Sequence, residues 1–458
     1  MSDDRSGNRL FPGLSRQSRR GFVKLGAAAT TAAASSTFAM PAFFSRTRAA
    51  ATLKFWQFYS PGGTVAPQDE WFKTMVESWN SQNDVKVELE YIVNSEYING
   101  SKLQTAFASD AGPDLFIISP GDFLRYYNGG ALQEITPAME PEAVKDFIPD
   151  VIATRAVDNK FYCLPMEVEP MAFYYSLDAW ESAGLTDGDI PQTWDQLLDV
   201  AEKLTTDDRF GVLFETTPGY YQNFTWYPFF WQGGGKIVND DGKTSGLREP
   251  AGVQALKLWK DAIDKGIAPR QGLGGGGDVV ANLGAGYCAI QNVGIWGIGA
   301  MRANAPDYKY GIFKLPIPDG GTYTTVAGGW GFAANAKGAD PETAAKFCAW
   351  AIGSMSDDSI QRGVDWIIKA KSDMPPRTSV LDKATADGGF SEGGMKTFAE
   401  DIFPGARGEP RVPPEVYKAI SDAIQACQLN GADPEQAAET AAKQIEDFLA
   451  TYEGAPIL

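Results

Sequence analysis

Hydrophobic and polar positions change rhythm repeatedly along the chain. The run Leu53-Lys54-Phe55-Trp56-Gln57-Phe58 predicts a strand, and Tyr59-Ser60-Pro61-Gly62-Gly63 a turn after it. From Glu70 to Asn80 the apolar side chains Trp71, Met75, Val76 and Trp79 recur at helical spacing. Alternation of period two over Val85–Val93 predicts a second strand, and Tyr97–Ser109 reads as a helix. Pro113-Asp114 introduces the apolar strand Leu115–Ile118, followed by a helix from Asp122 to Tyr127 that Gly129-Gly130 ends. This order predicts an α/β layer with a largely parallel sheet. A second α/β section begins near Pro165, with a strand at Met171–Tyr175 and a helix at Trp194–Leu204 whose N-cap is Thr193. Helical patterns return at 341–353 and at 414–450, the latter rich in alanine and acidic residues.

Length and composition narrow the function. A chain of 458 residues with 44% hydrophobic and 21% charged positions has room for two domains with sizeable cores. It holds no histidine, which excludes Ser-His-Asp and Cys-His nucleophiles, His-ligated zinc and an imidazole base. The net charge of −18 argues against nucleic acid or an anionic membrane as partner. The run Gly272–Gly277 is a flexible connector, since it lacks G-x-x-x-x-G-K-[ST], and Gly284-Ala285-Gly286 lacks the third glycine of a dinucleotide fingerprint. Cys163, Cys288, Cys348 and Cys427 are far apart and form no C-x-x-C. They leave either three possible disulfide pairings or buried free thiols, and no metal or cofactor site is expected.

The first 50 residues carry eight basic and two acidic side chains, a net +6 that leaves −24 on the rest of a −18 chain. Ser18-Arg19-Arg20-Gly21-Phe22-Val23-Lys24 resembles the twin-arginine export motif, and the Ala/Thr/Ser-rich stretch Leu25–Phe44 is weakly apolar for a retained membrane helix. Ala49-Ala50-Ala51, or Thr37-Phe38-Ala39 earlier, offers a cleavage site without a lipid-bearing cysteine. Residues 1–51 are therefore expected to be a twin-arginine signal peptide that delivers an unanchored protein to the periplasm.

Several stretches in order are similar to the extracellular solute-binding proteins of ABC importers, the sugar, maltose and glycerol-phosphate type. They include Leu103-Gln104-Thr105-Ala106 to Gly112-Pro113-Asp114-Leu115, and Gly129-Gly130-Ala131-Leu132-Gln133-Glu134-Ile135-Thr136. Tyr162-Cys163-Leu164-Pro165 leads through Tyr174-Tyr175 and Ala183-Gly184-Leu185 to Pro191-Gln192-Thr193-Trp194-Asp195. Later come Gly284–Ile290 with Trp296, Gly328-Gly329-Trp330, and the closing helices Ala419–Leu449. Ser176 departs from the family's usual Asn after the Tyr pair, at a local turn or ligand contact. The likeness covers nearly all of 52–450. It implies a two-lobed type II periplasmic-binding-protein fold with an interlobe cleft and crossing hinge strands. Lobe 1 would hold 52–163 with 323–370, and lobe 2 would hold 164–322 with 371–458. It further implies a monomer that captures a mono- or oligosaccharide and passes it to the transmembrane subunits of an ABC permease, with no catalysis.

A sugar needs aromatic plates for its ring face and fixed acceptors for its hydroxyls, since a hydroxyl buried without a partner costs about 1–3 kcal/mol. Trp56 and Tyr59 follow the first strand, and Ser119 and Asp122 follow Leu115–Ile118, at strand ends where open α/β sheets bind ligands. Asp122 reads equally as a helix cap. Glu167 and Glu169, at i and i+2 on an extended crossing segment, point the same way. By likeness to the maltose-binding branch, Glu169 meets sugar hydroxyls. Tyr221, Asn223, Trp226 and Trp231 form an aromatic and amide cluster expected on a cleft loop. Trp296, the foremost stacking plate, and Trp330, after two glycines, complete the set. Arg411, with Arg407 close by, would serve a second reading, a polyol phosphate such as glycerol 3-phosphate. A third, a secreted glycoside hydrolase, would use Glu167 and Glu169 as its paired carboxylates.

Overall fold

The computed structural model describes residues 52–458 except 62–64, 99–100 and 275–276. The expected signal peptide, with Arg19 and Arg20, lies outside the described residues.

Two sheets organise the molecule. In the first, the strands run in the order Lys86–Tyr91, Thr52–Gln57, Leu115–Ile118, Gly331–Ala334 and Leu164–Pro165. The first three are mutually parallel, and Gly331–Ala334 lies antiparallel to both its neighbours. The second runs Tyr310–Phe313, Met171–Ser176, Cys288–Gly294, Phe210–Leu213. Only its last pair is parallel, so the expectation of a largely parallel sheet holds for the first sheet and not for the second. All seven positions of Cys288–Gly294 and all six of Met171–Ser176 are buried, as befits central strands covered on both faces.

Local sequence sets the elements that reach the cleft. Trp194–Leu204 starts at Thr193, whose hydroxyl and Gln196 form a capping box, as the sequence predicts. Ser176 Oγ accepts the Ala179 amide at 3.2 Å and caps Leu177–Ser182, so the serine does at that turn what an asparagine would. The segment expected as a helix over 97–109 is helical in its described parts, Asn94–Ile98 and Ser101–Ala108. The pattern over 414–450 breaks into Pro414–Gln428 and Pro434–Leu449, where Gly431 takes φ +72° and proline restarts the helix.

One correction changes the cleft. Tyr220–Gln232 is a helix, not a loop. It is apolar nearly all round, which suits a helix enclosed by its lobe. Its amides are answered inside the fold: Gln222 donates to the Glu215 carbonyl at 3.3 Å and to Gln428 Oε1 at 2.9 Å, and Asn223 donates to the Tyr417 carbonyl at 3.1 Å.

Between the sheets, the chain crosses at 166–170 and again on the way to Gly331. A third stretch lies alongside, since Val168 and Met374 exchange main-chain hydrogen bonds of 2.8 and 3.1 Å. Residues just beyond it are held by the first-sheet side: Arg377 pairs with Asp146 at 2.7 Å, and the Ser379 amide donates to the same carboxylate. The segment near 377, which the resemblance gives to lobe 2, thus packs where lobe 1 was expected. All four cysteines are buried free thiols.

Candidate functional site

Gly328 and Gly329 lie where cleft groups converge. A Cβ on Gly328 would run into the Phe224 ring and lie 3.1 Å from Glu409 Oε2. Gly329 has φ +100°, and a Cβ there would come within 2.8 Å of the Glu167 carbonyl oxygen. Arg155 fixes the pair from below by donating to the Gly329 carbonyl at 2.6 Å and the Gly328 carbonyl at 3.4 Å.

The predicted crossing carboxylates meet on one ammonium. Lys371 Nζ lies 2.6 Å from Glu167 Oε1, contacts Glu169 Oε1 and is 3.3 Å from Asp373 Oδ2. Trp366 Nε1 donates to Glu167 Oε2 at 2.6 Å, and the Trp330 amide to Glu167 Oε1 at 3.2 Å. Tyr59 belongs to this group: Lys371 donates to its hydroxyl at 3.2 Å, while its ring packs on Phe72 and Trp366. Burial pushes the Glu169 carboxyl up to about 7, against the pull of Lys371 and with the repulsion of Glu167. Burial also lifts Asp373 well above the carboxylate range. For Lys371 burial works against the charge, and the three carboxylates outweigh it, holding the ammonium well above the usual lysine value. Glu167, Glu169 and Asp373 have the donor set of a hard-cation site, but the Lys371 ammonium is already among them.

An aromatic wall comes from the second-sheet side. Trp296 opens the helix Trp296–Asn304 immediately beyond the strand Cys288–Gly294, and a Cβ on Gly294 would collide with its ring. It meets Tyr221 edge-on at 5.9 Å and Phe224 at 6.4 Å between centroids. Trp330 stands against Phe58 at 4.8 Å and Tyr97 at 6.4 Å. Trp296, Tyr221, Trp330 and Ser119 keep partial exposure.

A second carboxyl group, missed in the sequence, lies across from Glu169. Glu409 accepts the Gly121 amide, and burial pushes it up to about 8, with Arg155 opposing and Glu169 and Asp122 adding repulsion. Asp122, raised by burial, is bonded to Tyr220, while Arg125 donates to the Tyr220 hydroxyl at 2.8 Å and pairs with Asp122 at 3.3 Å. The helix Pro120–Asn128 is thereby tied to the start of Tyr220–Gln232.

Other expected residues lie elsewhere. Trp226 is fully buried and stacks on Phe230, Trp231 stacks on Tyr227, and Asn223 bonds Tyr417, so these three pack the second lobe. Trp56 turns to the neighbouring strand, where its Nε1 donates to Glu90 at 2.9 Å. Arg411 is spent on main-chain carbonyls, those of Pro456 at 3.1 Å, Ala153 at 3.3 Å and Ala156, and Arg407 lies over the Trp231 ring. Lys371, Asp373, Arg155 and Arg125 carry no local sequence signal. Glu409 sits inside the Arg407–Arg411 run, between two arginines whose local pattern points to an anion and not to a carboxyl site.

A family model described as bacterial extracellular solute-binding protein matches residues 62–356. A galactooligosaccharide-binding protein of Bacillus subtilis is 24% identical over 391 residues, spanning 82% of this chain and 86% of its own. Among solved structures, a Thermotoga lettingae ABC transporter solute-binding protein bound with α-D-tagatose superposes with a TM-score of 0.75 at 24% identity, covering 87% of this chain and all of that one. The GacH receptor of Streptomyces glaucescens, solved unliganded and with acarbose, gives 0.74 at 19% identity, covering 88% and 100%.

Proposed function

The chain belongs to the bacterial extracellular solute-binding proteins, a family of binders with the two-lobed type II fold, and from that premise we propose that it captures a carbohydrate between its lobes. It then hands the sugar to an ABC permease without altering it. The observation that carries this reading is the pairing of partly exposed Trp296 and Trp330 with buried carboxyls at Glu169 and Glu409, plates for a ring face and acceptors for hydroxyls. A relative named for galactooligosaccharide binding, and similar structures solved with tagatose and with acarbose bound, support it. Export by the twin-arginine route to the periplasm, as a monomer, completes the reading.

The phosphate reading loses its cation, because Arg411 is turned away and satisfied by carbonyls. The hydrolase reading loses its geometry. Glu167 and Glu169 converge on Lys371, whereas that chemistry needs carboxyls on either side of a bond.

Thermal shift and calorimetry with a sugar panel test the proposal. One sugar is expected to raise the melting temperature without turnover, and Trp296→Ala to weaken its binding at least tenfold while Trp226→Phe leaves affinity within twofold. Release of product from that sugar, or full affinity in Trp296→Ala, would count against the reading.

A further inference from the structure

We infer that the captured carbohydrate bears a protonated amine, so that the cleft takes an amino sugar in preference to its neutral or acidic counterpart. The inference rests on the carbohydrate reading and sharpens it.

The charges at the cleft do not balance. Asp122, Glu167, Glu169, Asp373 and Glu409 are each under one-tenth exposed. Three cations accompany them: Arg125 is paired with Asp122 and Tyr220, Lys371 with Glu167, Glu169 and Asp373, and Arg155 donates through its two terminal nitrogens to the carbonyls of Val151, Gly328 and Gly329 while its Nε has no partner. Five carboxyls against three cations leave an excess of two. Buried carboxylates without partners are costly, and in the solute-free protein protons meet part of that cost. Glu409 feels the charge of Glu169, and Tyr221, lifted first by burial, feels that of Glu215 and then that of Glu169. The Tyr221 hydroxyl is buried without a hydrogen-bond partner beside Trp296.

An ammonium entering here gains charge-assisted hydrogen bonds to carboxylates and the faces of Trp296, Tyr221 and Phe224. The same nitrogen displaces the protons that Glu169 and Glu409 hold. A solute carboxylate or phosphate adds to the repulsion, since Arg125 and Lys371 are already paired with carboxylates and the Arg155 guanidinium is fully buried, holding the Gly328 and Gly329 carbonyls.

The test is calorimetric titration with matched trios that differ at one position, amine, hydroxyl or carboxylate, on glucose, galactose and mannose scaffolds as mono- and disaccharides. On the scaffold that binds most tightly, the amine is expected to bind at least tenfold more tightly than the hydroxyl compound, and the acid not to saturate. Glu409→Gln and Glu169→Gln should each shrink that ratio below about threefold. A ratio under tenfold in the unaltered protein overturns the inference, as does a preference that survives both substitutions; either result leaves the carbohydrate reading standing. If no trio member binds, the carbohydrate reading falls and the inference with it, and choline and spermidine titrated alongside then show whether the cleft takes a cation of another kind.

Discussion

Glu409 couples the cleft to pH at the level of a single residue. Its carboxyl rests at about 8 in the fold because burial outweighs Arg155, against about 4.3 in an unfolded chain. A raised carboxyl pKa has the reverse sign of the usual ion-paired acid. The folded state keeps a proton that the unfolded state loses first, so the contribution to stability is complete below about 4.3 and is lost as pH climbs towards 8. One such group changes the unfolding free energy by at most about 1.4 kcal/mol per pH unit. Urea unfolding at pH 5, 6.5 and 8 should therefore show the unaltered protein losing ground to Glu409→Gln with each step. Parallel stabilities across that range would remove Glu409 from the pH response. Glu169, at about 7, acts in the same direction over a narrower window.

At the scale of elements, the turn that joins Thr325–Ala327 to Gly331–Ala334 decides whether the two walls meet. Its second glycine has φ +100°, and a Cβ there would press on the Glu167 carbonyl. Gly329→Ala is expected to cost about 1–3 kcal/mol in stability and to weaken sugar binding at least tenfold, because Trp330 and the Glu167 main chain must part. Unchanged chemical unfolding and affinity would show that the turn tolerates a side chain. The sequence announces this position through Gly328-Gly329-Trp330, as it announces Trp194–Leu204 through Thr193 and Gln196 and the crossing through Glu167 and Glu169. Periodicity and capping are local, so they can be read locally. The misreading of Tyr220–Gln232 has the opposite cause. Its glutamine and asparagine resemble loop chemistry until Gln428 and Tyr417, some two hundred residues away, are seen to accept from them. Lys371 and Asp373 were silent for the same reason: their partners are distant in the chain and meet them only in the fold.

Across the whole molecule, polar contacts away from the crossing segments also join the two lobes, among them Arg411 on the Ala153 and Ala156 carbonyls and Asn128 on Tyr452. Arg125 and Asp122 on Pro120–Asn128 grip Tyr220, and the Gly121 amide beside them holds Glu409. A grip of this kind favours the arrangement with the walls close over any with the walls apart, and a solute that touches both walls would add to the same bias. Arg125→Ala removes the donor and leaves Asp122 without its cation, while touching neither Trp296 nor Glu169. The solute-free variant is then expected to have a larger radius of gyration than the unaltered protein in small-angle scattering. Saturating sugar should bring both to the same compact value. Apparent affinity should fall several-fold in proportion to the lost closed fraction, with the dissociation step from the closed state little changed. Equal radii without sugar, together with an undiminished affinity, would mean that Arg125 merely decorates a closure governed at the crossing segments.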